Sequence, residues 1–545
     1  MTTIALDRPA VDRRATRNRL TGTWTLIKLD LRRERVPLLV WILGISAVAA
    51  STFSTIAALY PNEADRAALV ASIAVNPAFL AITGPIDGTS IGAVSAWRVG
   101  AVGTSLIGLM AIFTVIRRTR ADEETGRTEL LASAVVGRAA PLAAAVTVAF
   151  AASLIIGLLT AVAGIGSGQP ALGSITFGAA MAGCGLVFAG VAAIAAQLAE
   201  NSRTAIGISC AVVAGCYGLR AIGDVQDSLG WLTWLSPQGW ASHVSPFSKD
   251  NLAVLALFLL ATALCLLVAG LLLERRDLGL GLFAARLGPA SNPRLTGPGA
   301  LAARLQRGSL FGWLVGLILL GAVTGGVSST STSLLADNPQ LEELLAKIGG
   351  AGAINDMLLA TMGAIAGLAI GGYAIAAALR MSGEESADRI APVLATAVSR
   401  PHWMAGHLAF VVAGPIILLT AAGLVAGLIN GLQVEDFGAG FAAALGAMVV
   451  QIPATLVLGG LAVALFGWLP RLAALAWAAL VLALFVGQLG QLLQLPQWLM
   501  DISPYTHIPL VPTQDIRWLP LVILTAIAGA LIGAGIAGFR RRDVG

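Results

Sequence analysis

Runs of eighteen or more apolar residues recur along the whole chain, and each is long enough as a helix to cross a hydrocarbon core of roughly 30 Å. Lipid offers no hydrogen bonds to a bare backbone, so chains of this pattern cross membranes as helices that satisfy their own N–H and C=O groups. Twelve runs stand out: 36–59, 99–116, 140–164, 174–198, 204–222 and 252–273, then 310–327, 360–379, 404–429, 437–466, 472–493 and 518–538. Composition agrees, with 57% hydrophobic and only 12% charged residues, about half the charged share of a soluble domain. The expected fold class is an all-α polytopic membrane protein of twelve transmembrane helices.

The loops carry the orientation signal. With the N-terminus in the cytoplasm, 28 of the 34 basic residues fall on the inner side and six outside: Arg66, Arg98, Arg220, Lys249, Lys347 and Arg517. Both termini are therefore expected to be cytoplasmic. The formal net charge of +5 sits beside the spans and suits an anionic inner membrane face, not a nucleic acid. The first span follows a charged leader and is too long for a signal-peptide core, so insertion into the cytoplasmic membrane is expected without a cleaved targeting segment. Cys184, Cys210, Cys216 and Cys265 lie in hydrophobic spans without CxxC spacing and read as small apolar filler.

The chain repeats itself. "LLLERRDLG" (271–279) returns as "GFRRRDVG" (538–545), "WLSPQGW" (234–240) as "DISPYTH" (501–507), and "RRERVPLLVW" (32–41) as "QRGSLFGW" (306–313). Offsets of 266, 267 and 272 imply a tandem duplication, six spans plus six in parallel. The expected organisation is a cytoplasmic segment with an amphipathic surface helix (1–35), a first six-span half (36–279), a linker with a second surface helix (280–308) and a second half (309–545). In the first surface helix Leu20, Trp24, Ile27 and Leu31 form an apolar face opposite Lys28, Asp30, Arg32 and Arg33. Outside, Pro61–Phe79 and Asn338–Ile348 read as short capping helices.

"RRTRADEETGRTELL" (117–131) is the most charged stretch of the chain and follows the second span. At about 2.5 to 3.5 kcal/mol per buried charge it must stay in the cytosol. Its counterpart follows the second span of the second half. "EETGRTELLASAVVGR" (123–138) aligns with "EESADRIAPVLATAVSR" (384–400) with one extra residue, pairing Glu123 with Glu384, Glu124 with Glu385, Arg127 with Arg389 and Arg138 with Arg400. A charged rim around Leu130, Leu131, Val135 and Val136 reads as a docking surface for a cytosolic partner, or else as a helix resting on the membrane.

At these residues the chain resembles the permease subunits of ABC type-2 exporters, in particular the fused twelve-span permeases of antibiotic and polyketide exporters. The resemblance runs nearly full length: surface helix, span, external helix, span, "EE-x-G-R" loop and four more spans, twice. It implies that the loop forms a coupling helix seated on a separate ATPase, a role falling to Glu123, Glu124, Gly126, Arg127 and Glu129, and to Glu384, Glu385 and Arg389. The second copy departs from the pattern at Ala387, Asp388 and Pro392. The resemblance also implies two ATPase copies per chain, which bind the ATP and Mg, and a substrate path between the second and fifth spans of each half. That path makes Tyr217, Gln488 and Gln491 candidate wall residues, although ordinary interhelical hydrogen bonds account for them as well.

The chain holds no G-x-x-x-x-G-K-[ST], so it lacks the phosphate cradle of a P-loop ATPase and is not by itself expected to be an enzyme. Gly533, Gly535 and Gly538 spell G-x-G-x-x-G, but inside an apolar span with no strand before it. Gly423, Gly427 and Gly431 read as close helix packing. His402 and His407 are poorly spaced for one helical face, and His243 and His507 lie in outer loops, so no metal site is expected. Trp231, Trp234, Trp240, Trp498 and Trp518 suit an interfacial belt. Spans nearly free of ionisable groups suit a hydrophobic or amphipathic cargo and weigh against the rival of an ion-coupled carrier, while export under ATP drive is what the resemblance implies. A non-transporting membrane sensor bound to an ATPase remains a further alternative at this stage.

Overall fold

The computed structural model describes residues 19–74, 77–132, 135–276, 281–282, 293, 295–326, 350–489 and 496–542. The chain divides into two compact units, Met1–Gly288 and Pro289–Gly545. Among the described residues the regular structure is helical, and eleven helices are long and apolar enough to cross a membrane.

In the first unit the long helices are α1 (Thr23–Leu59), α2 (Ile91–Arg118), α3 (Ala140–Gly166), α4 (Ala171–Leu198), α5 (Ser202–Val225) and α6 (Leu252–Arg275). Helix α4 is the axis of this unit and packs against α2, α3 and α6. Its sequence, rich in Ala and Gly, permits this. Gly157 of α3 faces the backbone of Gly178 so closely that a Cβ on either would strike the other's carbonyl. Phe188, Phe258, Ile107 and Ile112 fill the space around it.

The second unit contains α7 (Pro298–Gly326), α8 (Gly350–Ser386), α9 (Arg400–Gly431), α10 (Phe437–Trp468), α11 (Ala476–Leu489) and α12 (Trp518–Arg541). Similar pairings recur, α7 on α9, α8 on α10 and α10 on α12. Helix α10 is two pieces, Phe437–Val449 and Ile452–Trp468, which meet at Gln451 before Pro453. Gly423, Gly427 and Gly431 of α9 lie against Leu445, Phe441 and Phe437, while Gly535 and Gly538 of α12 lie against Val463 and Gly467. These glycines let helices touch.

Three sequence expectations change. The amphipathic stretch before the first span is no separate surface helix: α1 runs unbroken from Thr23 through Pro37 to Leu59. Its apolar face is exposed at Trp24 and Leu31, whereas the opposite stripe, Leu26, Asp30, Glu34 and Leu38, is buried. Glu34 finds its basic partners, Arg117 and Arg118, inside the protein, so the continuous helix buries this stripe. The second such stretch likewise continues into α7. The eleventh run, read as 472–493, gives a 3-10 turn at Pro470–Leu475 and then α11, which is 14 residues long within the described segment.

The short helical stretch expected at Pro61–Phe79 is present as Glu63–Ala74 followed by Pro77–Thr83. Arg66 holds it down, donating to the carbonyls of Tyr60, Pro61 and Thr89. The stretch Asn338–Ile348 and most of the linker lie outside the described residues.

Candidate partner-docking loops

Two short helices, Arg120–Glu124 and Arg127–Ala132, follow α2. Gly126 turns the chain between them at φ +69°, in the left-handed region where glycine carries no side-chain penalty. Of the acids before this turn, Asp122 and Glu123 point inward, and Glu124 is exposed. Asp122 accepts from both Nη atoms of Arg33 on α1, at 2.9 and 3.0 Å, and from Arg127 at 3.1 Å. Glu123 accepts from Arg120 at 2.5 Å and from two nitrogens of Arg276, just past α6, at 2.9 and 2.5 Å. Arg276 reaches on to Gln197 near the end of α4 at 2.6 Å. Glu124 accepts from the backbone N–H and hydroxyl of Ser202, both at 2.6 Å, at the positive end of α5. One rung above, Glu34 of α1, 1% exposed, accepts from Arg118 at 2.7 Å and Arg117 at 3.2 Å.

These acids therefore tie the adjoining ends of α1, α2, α4, α5 and α6 into one charged layer. Such pairs are costly to break once buried, because the partner charge is left behind. What the loop presents outward is a different set: Arg127, Glu129, Leu130 and Val135, the last two 75% and 87% exposed. The side chain of Leu131 lies outside the described residues.

In the second unit Glu384 pairs with Arg380 at 3.1 Å and Arg389 at 3.5 Å, and Glu385 with Arg542 at 2.5 Å. Arg542 lies over the rings of Phe466 and Phe539. These contacts correct the alignment read from sequence. Glu384, held by Arg380 and Arg389, answers Asp122, held by Arg118 and Arg127. Glu385 on Arg542 answers Glu123 on Arg276, and Arg400 bonds the Arg542 carbonyl as Arg138 bonds that of Arg276. The loops then match at a constant offset with no inserted residue. Ser386 stands for Glu124, Asp388 for Gly126, Ala391 for Glu129 and Pro392 for Leu130. Asp388 also takes a positive φ, +53°. Matching "EE" to "EE" missed this because Asp and Glu make the same ion pair.

Of the candidate path residues, Tyr217 gives its hydroxyl to the Ile82 carbonyl and stacks beneath the Arg220 guanidinium at 4.5 Å. Arg220 is itself wholly buried, bonded to Asp224 at 3.0 Å and to the carbonyls of Ala81 and Ile82. Read from sequence, Arg220 counts as an outer-loop charge; in the structure α5 carries it into the protein interior. Of Gln488 only the backbone is described, and Gln491 lies outside the described residues. Gln451 is buried against Gly367 at the break in α10.

Three of the histidines make hydrogen bonds: His407 with Gln306 of α7 at 3.2 Å, His243 with Thr233 at 2.7 Å with its ring stacked on Trp234, and His507 with the Asp501 carbonyl at 3.0 Å. Arg276 and Arg542 were not singled out from sequence. Their signal was the repeated "RRD" that ends each set of six apolar runs.

A sequence model of the family described as the multidrug efflux system permease Rv1217c, C-terminal domain, matches residues 25–275 and 295–540. The multidrug efflux system permease protein Rv1217c of Mycobacterium tuberculosis (strain ATCC 25618 / H37Rv) is 41% identical over 526 residues, covering 96% of this chain and 95% of the relative. With eleven apolar helices of spanning length among the described residues, the chain is a multi-pass membrane protein.

Proposed function

The chain belongs to the multidrug efflux system permease family, and from that premise we propose that it is the membrane subunit of an ATP-driven exporter of the ABC type-2 kind. In this reading twelve spans form two tandem halves with both termini in the cytoplasm, in the cytoplasmic membrane. Two copies of a separate ATPase, carrying the ATP and Mg, dock on the loops after α2 and α8. Their closure switches the halves between inward-open and outward-open states and moves a hydrophobic or amphipathic compound, such as an antibiotic, out of the cell.

One observation carries the proposal: each loop is braced from behind by acid–Arg ties to the span ends, while Arg127 and Arg389 stay exposed at the turn, with side chains 56% and 63% exposed. A lever that transmits force needs both a rigid root and an outward contact face, and Leu130 and Val135 provide the latter in the first unit. The two levers are unequal, since Pro392 and Ala391 replace Leu130 and Glu129 in the second.

The test is purification of the tagged chain from its native membrane, as wild type and as Leu130→Ser/Val135→Ser. A P-loop ATPase recovered at two copies per chain, with drug-stimulated hydrolysis that the variant loses, is the expected result. A folded wild-type chain that arrives alone and whose substrate flux follows the proton gradient overturns it in favour of an ion-coupled carrier.

A further inference from the structure

Between α1 and α2, in the first unit, runs a groove of about 480 Å³. Its walls are apolar, with Trp41, Ile45 and Val48 on one side and Val102 and Leu106 on the other, and Arg98 lies at its head. Arg98 is exposed, and among the described residues its guanidinium has no partner. Two of the other outer cations of this unit are used up within it, Arg66 by three carbonyls and Arg220 by Asp224 and two more, and the third, Lys249, is exposed and does not line the groove.

Helix geometry sets the depth of this cation. From Arg98 to Arg118, α2 rises about 30 Å, one hydrocarbon thickness. Arg118 lies in the charged layer with Glu34 and Asp122. Arg98 therefore stands at the opposite edge of the apolar slab, and the groove descends from it to Trp41, about 10 Å of helix short of Glu34. A cation at the polar boundary with an oily slot beneath it is complementary to an acid head on an apolar body, and a planar guanidinium suits a carboxylate bidentately. The volume falls in the lower half of the range for small-molecule sites, about 300–1,000 Å³, room for one chain or ring system and not for a two-chain lipid. At the loop offset shared by Arg118 and Arg380, Arg98 corresponds to Ala360, which is buried, so the feature belongs to the first unit alone.

We propose that the groove between α1 and α2 binds a single-chain or single-ring-system carboxylic amphiphile, its acid on Arg98 and its body along Trp41, Ile45 and Val102. This names a cargo class for the exporter and rests on that reading for its physiological role, while the binding itself is measured without transport or ATPase.

The probe is a brominated long-chain fatty acid added to the purified chain in nanodiscs of zwitterionic phosphatidylcholine, read by quenching of Trp fluorescence against empty discs and against the corresponding brominated alcohol. The acid is expected to bind about tenfold more tightly than the alcohol. Arg98→Gln removes that preference, Arg98→Lys keeps part of it, and Trp41→Phe removes most of the quenching. Equal affinity for acid and alcohol overturns the proposal, as does an acid preference unchanged in Arg98→Gln. So does displacement of the acid by anionic phospholipid at matched concentration, which would make the groove a membrane-lipid seat. Absence of a docked ATPase would sink the exporter reading and leave these outcomes untouched.

Discussion

Gly126 and Asp388 occupy the same place in two loops of different sequence, and both stand in left-handed backbone, at φ +69° and +53°. The turn is thus conserved between the loops where the residue is not. A Cβ on Gly126 would meet nothing within 4 Å, so replacing it tests conformation alone. Gly126→Ala is expected to cost about 1 kcal/mol and Asp388→Gly to recover about as much, as the left-handed penalty is added or removed. Trypsin cleavage after Arg127 and Arg389 checks both: about fivefold faster in the first variant and slower in the second, for opening that is fast relative to cleavage.

Glu123 is tied into the protein by Arg120 and Arg276, whereas Leu130 is exposed. Glu123→Gln takes one carboxylate away from Arg120 and Arg276, with side chains 0% and 3% exposed, and a loss of about 3 kcal/mol is expected. Denaturant unfolding of the purified chain reads it, and Glu123→Gln/Arg276→Met should restore part of the loss. Leu130→Ser, on an exposed side chain, should shift stability by no more than about 0.5 kcal/mol.

Glu34 in the first unit faces Arg117 and Arg118, whereas in the second unit, by the offset of the paired tryptophans Trp41 and Trp313, Gln306 takes its place and bonds His407. Glu34→Gln should therefore destabilise strongly, by about 3 kcal/mol, since Arg118 is 8% exposed. Gln306→Leu should cost only about 1 to 2 kcal/mol, the scale of a neutral buried hydrogen bond. Comparison of the two variants in one denaturant series decides whether the units differ in rigidity; equal losses would remove the asymmetry.

His243 ends the short helix Pro237–His243, between the long apolar helices, where burial holds its imidazole below the ordinary value despite the opposing pull of Asp87. The unfolded chain takes up a proton near pH 6.5 and the folded one only at lower pH. Stability from this site is thus present above about pH 6.5 and lost as pH falls through the folded value. Wild type should lose more stability between pH 7.5 and 5 than His243→Gln; identical losses would show that the ring is not the titrating group.

Ten of the twelve apolar runs sit within helices of spanning length at every described end, because lipid imposes length and hydropathy together and both are local properties of the sequence. The tenth is helical in two pieces broken before Pro453, and the eleventh is the exception, shortened by the turn at Pro470. The charged loop after α2 was equally legible, since its charges cannot enter the membrane. Its division of labour was not. Glu123 and Glu129 are indistinguishable as letters, and only the approach of Arg276, 153 positions away, turns the first inward and leaves the second outside. The same holds for Arg220 and Arg98, which look alike as outer basic residues until folding surrounds one with carbonyls and Asp224 and sets the other over an apolar groove. Sequence by itself determined which segments are oily enough to be helices in a membrane and which must stay wet. The tertiary structure decided which charges are spent within the protein and which are left to act, because an ion pair depends on distance in space and not along the chain.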